Sequence, residues 1–479
     1  MLGRQQLVID LSEFVKGMSS APYISDGGFS PDTEAVNLIT QPGVVYAPAI
    51  AVDTDTDDRL STTIEIIASS PDMANLSVDN RLLIGANGTD DGTFYRYDGT
   101  KIIAAAYGTD TTRNYTKGYT DIIAYKGEAY VSSQTHLARW QNDNTITQDF
   151  FAFTNTRPHP GVVFEDNAFY GDGNLLLRQT AAAGTPATIL TLPSSEVIIA
   201  LGVDPGTGRM LISTTSSLNI SNTQTSINKL HWYDGYSNKT IKTIYVGDMI
   251  LGFHSVAGVT YCGYGQSLGY ITGSGVRFLR KLLNVSLNNE HLPYKHNLTS
   301  IGSTLYVADG YKILAYGPIR QGGDNVFYYA ARNKDNDLVF QSIFDAGSNK
   351  IGYSYIGVFK TVDTSSVATL NKLDFVTNWL NFPRPIIPVS VVYEFVGSIS
   401  STNNFTLQYS TSNRPGNYYS LDVQSPPLTS IHTFEAIGFA PGDTTSWLKK
   451  GMTSLQLRIQ NSSENDGLRK IIVFYDYIE

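Results

Sequence analysis

One short pattern recurs along most of this chain: a polar turn with Gly or Asn, three or four apolar residues, a gap, and a second apolar stretch that often ends in an aromatic residue. The clearest copy spans residues 301–317, where an apolar stretch over 305–307 precedes Asp309-Gly310 and a returning stretch over 311–316. Gly tolerates positive φ, and Asp can hydrogen-bond its own backbone, so this pair favours a tight turn. The pattern therefore predicts a β-hairpin in each copy.

Further copies of the pattern begin near residues 80, 125, 165, 207, 257 and 336. Their spacing of roughly 35 to 50 residues is the period of β-propeller blades, each of which is a four-stranded sheet. One such sheet cannot bury both of its faces alone, whereas blades stacked radially bury them and leave only short edges exposed. A row of β-sandwich domains is the alternative, but each sandwich needs about 100 residues. The spacing therefore predicts an all-β fold with a β-propeller of about six to eight blades.

Composition agrees with an all-β fold. The chain contains 30 Tyr and 42 Gly, and 16% of its residues are charged, against about 25% in an average soluble domain. Tyr, Thr and Val suit a pleated, half-buried surface, and Gly suits tight turns. The polar surface must therefore be built mainly from Ser, Thr, Asn, Gln and Gly.

The sequence changes character near residue 370. Three prolines between positions 383 and 388 predict a stiff connection, and strands with strict alternation follow it. Leu455, Leu457 and Ile459 alternate with polar residues, as expected for a half-buried antiparallel strand. We therefore predict an N-terminal arm over residues 1–55, the propeller over 56–372 and a jelly-roll-like β-sandwich over 373–479.

Charge and cysteine content narrow the classes of function. The net charge is −9 and no basic run occurs, which disfavours nucleic-acid binding through phosphates, although a ring of subunits could gather basic residues into one lumen. The single cysteine, Cys262, lies in a strand-like stretch and is predicted to be a buried, inert thiol. No apolar run approaches the length of a membrane span, about 18 residues. The N-terminus lacks the apolar core of a signal peptide, so the chain is expected to be soluble in the cytoplasm where it is made.

No catalytic signature stands out in the sequence. The chain has no Gly-x-Ser-x-Gly elbow and no P-loop. Its seven histidines are scattered, and His291 and His296 lie in a loop-like stretch rather than at the spacing of a helical metal site. We therefore predict no catalytic residue, no bound cofactor and no metal ligand set.

Two groups of carboxylates leave alternatives open. The alternating aspartates Asp53, Asp55, Asp57 and Asp58 are interpreted as a solvated turn, with a calcium site as the alternative. A pair of glycosidase carboxylates could meet only in the folded chain. The obvious acids lie at or beside predicted turns, where local hydrogen bonding explains them: Asp98, Glu165, Asp166, Asp234 and Asp309.

Aromatic residues near the predicted turns offer one candidate binding site. Trp140, Trp232 and Tyr233 are positioned where their rings could stack on the sugars of a glycan. Aromatic residues in strands more often form the core between blades. Blade core is therefore the preferred interpretation, with glycan stacking as the alternative.

The chain resembles a group of structural proteins from tailed bacteriophage virions. The resemblance depends on the lead-in Ile-Asp…Phe-Val-Lys-Gly-Met over residues 9–18, on Tyr-Asp-Gly at 97–99 and 233–235, and on the strands of the C-terminal segment. Proteins of this group combine an N-terminal arm, a β-propeller and a C-terminal β-sandwich. They serve as tail nozzles, tail-tip parts or fibre-associated proteins.

The resemblance implies a non-enzymatic structural component of the virion tail, made in the cytoplasm of a host bacterium. The implied partners are other copies of the same chain in a ring, and other tail or neck proteins of the phage. A host-surface glycan is a further implied partner. The alternative function is a propeller that binds or degrades host-surface glycans.

Overall fold

The structure of the chain is a computed structural model. The residues that the structure describes are 4–10, 36–37, 45–46, 49–50, 65–71, 81–86, 92–97, 108–110, 115, 118–141, 145–218, 226–282, 292–318, 324–332, 342–355, 358–363, 373–396, 405–411, 418–423, 431–437, 452–461 and 467–478. Within these ranges the chain is almost entirely β-structure, which confirms the predicted all-β class.

Thirty-eight strands are found among the described residues. Four lie in the N-terminal region: β1 (Gln5–Asp10), β2 (Val36–Asn37), β3 (Val45–Tyr46) and β4 (Ala49–Ile50). The next twenty carry most of the repeats: β5 (Glu65–Pro71), β6 (Arg81–Ala86), β7 (Gly92–Tyr97), β8 (Gly108–Asp110), β9 (Asp121–Tyr125), β10 (Glu128–Ser132), β11 (His136–Trp140), β12 (Ile146–Ala152), β13 (Gly161–Phe164), β14 (Asn167–Asp172), β15 (Leu175–Gln179), β16 (Ala187–Thr191), β17 (Val197–Asp204), β18 (Arg209–Thr215), β19 (Asn228–Tyr233), β20 (Lys242–Val246), β21 (Ile250–Val256), β22 (Val259–Tyr264), β23 (Ser267–Thr272) and β24 (Gly275–Lys281).

A short 3-10 helix, Lys295–Asn297, precedes the remaining strands. Seven of these complete the repeats: β25 (Leu298–Ile301), β26 (Thr304–Asp309), β27 (Lys312–Pro318), β28 (Asn325–Arg332), β29 (Ser342–Gly347), β30 (Lys350–Tyr355) and β31 (Val358–Asp363). The last seven lie in the C-terminal region: β32 (Leu373–Val376), β33 (Leu380–Val396), β34 (Phe405–Thr411), β35 (Tyr419–Val423), β36 (Ile431–Ile437), β37 (Met452–Asn461) and β38 (Gly467–Tyr477).

One compact unit consists of residues 51–313 and 333–363 and contains the repeated sheets. Five of its sheets are four-stranded and antiparallel, namely β5–β8, β9–β12, β13–β16, β17–β20 and β21–β24, and a sixth blade begins with β25 and β26. The three-stranded sheet β29–β31 fills the interval between the sixth blade and the first. The first strands contact one another in the order β5, β9, β13, β17, β21, β25, β29 and back to β5. This closed circle confirms the β-propeller.

The apolar faces of neighbouring blades bury each other. Ile84 and Phe94 of the first blade pack with Ile122 and Trp140 of the second, and all four are at most 2% exposed. The Phe94 ring meets the Trp140 ring edge-on, with centroids 5.7 Å apart. Equivalent clusters join the second blade to the third, the third to the fourth and the fourth to the fifth. This packing is the physical reason that a single repeat could not fold alone.

Local turn chemistry sets the hairpins, as predicted. Glu165 and Asp166 both have positive φ, 45° and 59°, between β13 and β14. Gly310, at the turn predicted from the Asp-Gly pair, has a φ of 64°. Consecutive positive φ values match the right-handed twist of the flanking strands, which is why such turns connect hairpins.

The second compact unit consists of residues 1–50, 314–332 and 364–479. Its principal sheet has ten strands in the order β2-β3-β38-β33-β36-β35-β34-β37-β32, with β1 paired to β38 from Gln5↔Tyr475 to Asp10↔Lys470. In the same unit, β28 pairs in parallel with β4. The N-terminal lead-in thus contributes an antiparallel strand to the C-terminal sheet.

In the C-terminal sheet the predicted strand alternation is confirmed, but the prediction that the proline segment is a connection is wrong. Leu455, Leu457 and Ile459 are fully buried, as their period-two spacing predicts. Residues 383–388, predicted to be a connection, lie inside the 17-residue strand β33. Its pairing jumps from Asn381 to Ile386 on the β37 side and from Pro388 to Ser390 on the β38 side. Proline has no N–H to donate to the ladder, so the strand continues only with these register shifts.

Candidate functional site

The segment over residues 292–297 lies at the centre of the propeller ring. Its 3-10 helix contacts three first strands that belong to different sheets, β5, β21 and β29. Two glycines make room for it. A Cβ on Gly252 would lie 2.2 Å from the Lys295 backbone N, and a Cβ on Gly263 would lie 1.8 Å from the Pro293 carbonyl O. Because no other residue type fits at such distances, these glycines let the chain pass close to the ring axis.

Asp121, the first residue of β9, organises this region. Its Oδ1 accepts hydrogen bonds from the Ile122 N–H at 2.8 Å, from Lys295 Nζ at 2.8 Å and from His296 Nε2 at 3.0 Å. Its Oδ2 accepts from the Gly161 N–H at 2.8 Å and from Lys295 Nζ at 3.0 Å. Lys295 Nζ also donates to the Gly161 carbonyl O at 3.0 Å. The axial cluster, defined as Asp121, Lys295 and His296, therefore joins β9, β13 and the central segment.

Electrostatics keeps the Asp121 carboxylate ionised. Burial alone raises its pKa, but the charge of Lys295 and the hydrogen bond and charge of His296 together lower the pKa from 3.8 to about 2. A carboxylate that accepts this many donors has no spare lone pair directed at a substrate. The arrangement resembles a structural clamp more closely than a general base, which needs a pKa near the working pH.

A cavity of about 450 Å³ lies beside the axial cluster, lined by residues of the first strands. Its walls are mainly apolar, with Val163, Ile343 and Phe344 among them, and His254 and Ser300 add polar groups. His254 Nε2 and Ser300 Oγ are 3.0 Å apart. Burial, helped by the nearby charge of Lys295, lowers the pKa of His254 to about 4, so its imidazole is neutral near pH 7. The cavity is large enough for a small molecule.

A second ionic group lies in the fourth blade. Glu196 is 5% exposed, and its Oε1 and Oε2 lie 2.5 Å from Lys229 Nζ and 3.1 Å from His231 Nε2. Thr214 Oγ1 donates to Glu196 Oε2 at 3.1 Å. Burial lowers the pKa of His231 despite the charge of Glu196. These contacts link β18 and β19 to Glu196, the residue before β17. This ionic group is therefore structural, like the axial cluster.

The three aromatic residues considered for glycan stacking are buried instead. Trp140 and Tyr233 are 0% exposed and Trp232 is 3% exposed. Each belongs to a cluster packed between blades, and the Nζ of Lys242 lies 4.8 Å from the Trp232 ring centroid. No ring face is open to a sugar, so the burial of these three residues argues against the glycan-stacking alternative and agrees with the blade-core interpretation.

The predicted acids are dispersed over several blades. Glu165 and Asp166 form the β13–β14 turn, and Asp234 accepts backbone N–H bonds from Tyr236 and Ser237 in its own turn. Asp309 is buried at the end of β26. Asp98, the aspartates between 53 and 58, and His291 lie outside the described residues. Within the described ranges, no three His, Cys, Asp or Glu side chains converge to hold a metal ion.

Two other sequence features have clear structural positions. Cys262 is 0% exposed, and burial raises the pKa of its thiol, as expected of an inert core cysteine. No helix within the described part of the chain is long and apolar enough to cross a membrane.

The axial cluster was not found from the sequence. His296 stood out only as a loop histidine, and Asp121 and Lys295 belong to no motif. The available signal was glycine content: Gly263, in the stretch Gly-Tyr-Gly over residues 263–265, allows close passage of the backbone at Pro293.

Comparisons with known proteins give little further information. No protein-family model matches the sequence, and no curated protein matches it. Among solved structures the chain is similar to one described as "YCF48 bound to D1 peptide", at 10% identity and a TM-score of 0.42, covering 67% of this chain and 97% of that chain. A likeness this distant supports no inference about ligand or function.

Proposed function

We propose that this chain is a non-enzymatic structural component of a tailed-phage virion, a tail protein that assembles with copies of itself and with other virion proteins. The phage assignment derives from the sequence resemblance. The structural observation that supports a scaffold role is the axial cluster. Its Asp121 carboxylate is held by two backbone N–H groups, Lys295 and His296, so the polar groups at the ring axis serve to fasten blades together.

We also propose that the C-terminal region forms a jelly-roll-like β-sandwich. Supporting this, the first part of β33 pairs with β37 and its later part pairs with β36, while β36, β35, β34 and β37 follow one another in the sheet. A sheet that returns to its own starting strand must bend, and a bent sheet brings two apolar faces together. Cryo-EM of the full chain tests this proposal. Two packed sheet layers would support the β-sandwich, and one open sheet would contradict it.

The experiment for the tail assignment combines light scattering with particle analysis. The purified full chain is measured by multi-angle light scattering, and tailed particles from the host that carries the gene are examined by mass spectrometry and cryo-EM. We expect an oligomer in solution and the chain in the tail density. A monomer that is never found in particles would contradict the proposal.

Burial of Trp140, Trp232 and Tyr233 removes the residues on which the glycan alternative depended. Binding on a glycan array, or release of reducing sugar from host polysaccharides, would nevertheless support the alternative of a glycan-binding or glycan-degrading propeller.

A further inference from the structure

The central cavity, defined as the space of about 450 Å³ beside the axial cluster, is enclosed by several blades. Its walls come from the first strands β9, β13, β21, β25 and β29, and the central segment borders it through Lys295 and His296. Small-molecule sites occupy a range of about 300–1,000 Å³. The cavity therefore has the size and the concave shape of a ligand site.

The walls of the central cavity are mainly apolar. They are lined by Ile123, Val162, Val163, Ile343 and Phe344. Val163 is 38% exposed, so part of this apolar surface is open to a ligand. An apolar molecule that covers such a wall releases the water next to it, which is favourable. The walls therefore favour a predominantly apolar ligand.

The charged side chains at the wall already have partners in the protein. Lys295 Nζ donates three hydrogen bonds, two of them to the Asp121 carboxylate, so its three N–H groups are used. His296 Nε2 lies 3.0 Å from Asp121 Oδ1, and Asp345 Oδ1 accepts the Gly347 N–H at 2.8 Å. A charged ligand would give up its hydration in a mainly apolar cavity, which is costly unless the charge is newly paired. The cavity therefore favours a neutral ligand.

His254 and Ser300 provide one hydrogen-bonding position in the wall. The distance of 3.0 Å between His254 Nε2 and Ser300 Oγ joins β21 to β25. Within the described part of the chain, the second ring nitrogen of His254, Nδ1, has no hydrogen-bond partner. Burial lowers the pKa of His254 and keeps its imidazole neutral near pH 7, and a neutral imidazole nitrogen either donates or accepts one hydrogen bond. The pair can therefore hold one polar group of a ligand.

We infer that the central cavity binds a small, neutral, predominantly apolar molecule that makes one hydrogen bond to the His254–Ser300 pair. The apolar walls supply the affinity, and the polar pair fixes the orientation of the ligand. This binding site goes beyond the proposed tail role and does not depend on it.

Fluorescence titration of the full chain tests the inference. The probe is N-phenylnaphthylamine, a neutral aromatic molecule with one N–H, whose emission rises in apolar surroundings. The comparison probe is anilinonaphthalene sulfonate, which has the same ring system and an added anionic group. We expect saturable binding of the neutral probe and at least about tenfold weaker binding of the anionic probe.

Two substitutions at Val163 block the cavity by different means. Val163→Glu places a charge in the apolar wall, and Val163→Trp fills the space. The matched control is Val259→Glu, because Val259 is also 38% exposed but does not line the cavity. We expect both Val163 variants to bind the neutral probe at least about tenfold more weakly than the control does, with unchanged circular dichroism.

A double variant, His254→Leu/Ser300→Ala, tests the hydrogen bond. The second ligand is benzylnaphthalene, in which a CH₂ group replaces the N–H of the neutral probe, and its affinity is measured by displacement of that probe. Wild type should prefer the N–H compound by about two- to tenfold, which is the net worth of one hydrogen bond. The double variant should bind the two compounds equally well.

Each failure has its own meaning. If the neutral probe does not saturate wild type, or if both Val163 variants bind it as tightly as the control, the inferred site is wrong. Equal affinity for the anionic probe would overturn the neutral ligand class. An unchanged preference for the N–H compound in the double variant would overturn the hydrogen bond. None of these results affects the tail role, which light scattering and particle analysis test separately.

Discussion

Replacing Asp121 by Asn tests whether the axial cluster holds the propeller together. The substitution preserves the size of the side chain but removes the charge that Lys295 and His296 face. It also converts one acceptor oxygen to an amide N–H₂, which must then point at a donor such as the Gly161 N–H. Both changes destabilise the folded state.

The magnitude follows from the pKa. The pKa of Asp121 is lowered from 3.8 to about 2, and one pKa unit corresponds to about 1.4 kcal/mol. The ionised carboxylate thus stabilises the fold by about 2 kcal/mol at neutral pH. Removing one member of a buried ion pair costs about 3–5 kcal/mol in other proteins, but the Lys295 side chain is 32% exposed and can turn toward water. We expect a loss of about 2–3 kcal/mol for D121N.

The assay is denaturant unfolding followed by tryptophan fluorescence, since Trp140 and Trp232 are buried in the propeller. Because the folded pKa lies below the unfolded value, this stabilisation is complete above about pH 4 and is lost as the pH falls toward 2. The gap between wild type and D121N should therefore shrink near pH 3.

A matched control is Asp166→Asn. Its carboxylate is 83% exposed and lies 3.2 Å from Lys126, so the change should alter stability far less than D121N does, because solvent screens an exposed ion pair. Equal stability of D121N and wild type near pH 7, or a gap that is undiminished near pH 2, would refute the clamp interpretation.

Three further perturbations probe the same unit. Gly252→Ala should destabilise the propeller by at least about 2 kcal/mol, because the new Cβ would lie 2.2 Å from the Lys295 backbone N, whereas Gly206→Ala, whose Cβ would meet nothing closer than 3.4 Å, should be nearly neutral; equal thermal stability would contradict this. Cys262 should resist alkylation in the native state and react fully in denaturant, since it is buried; labelling of native protein at the rate of a free thiol would show otherwise. His254 should stay neutral until the pH approaches 4, so its contribution to stability declines as the pH falls from about 6.5 to about 4; an NMR titration with a midpoint near 6.5 would disprove the burial argument.

Local chemistry accounts for the parts of the fold that could be predicted. The Asp-Gly pair at 309–310 and the alternation of Leu455, Leu457 and Ile459 act over a few residues, and the structure has the positive φ and the buried face that each implies. The period of the repeats led to the propeller because each sheet needs neighbours to bury its faces. Trp140 shows the limit of such reasoning, because position near a turn does not determine exposure.

The interactions that could not be predicted join residues far apart in the chain. Asp121 and Lys295 are separated by 174 positions, and β1 pairs with β38 across almost the whole sequence. The local sequence around each partner does not distinguish that residue from an ordinary polar or apolar residue. The same holds for the proline segment, whose place in β33 depends on partners that tolerate interrupted pairing.

By itself the sequence determined the all-β class, the hairpin unit and its approximate number of copies, since turn geometry and burial of a sheet face are short-range requirements. Only the tertiary structure decided which residues meet at the ring axis and which aromatic rings are buried. Those properties depend on how blades are placed around an axis, and that placement is a cooperative outcome of packing over the whole unit.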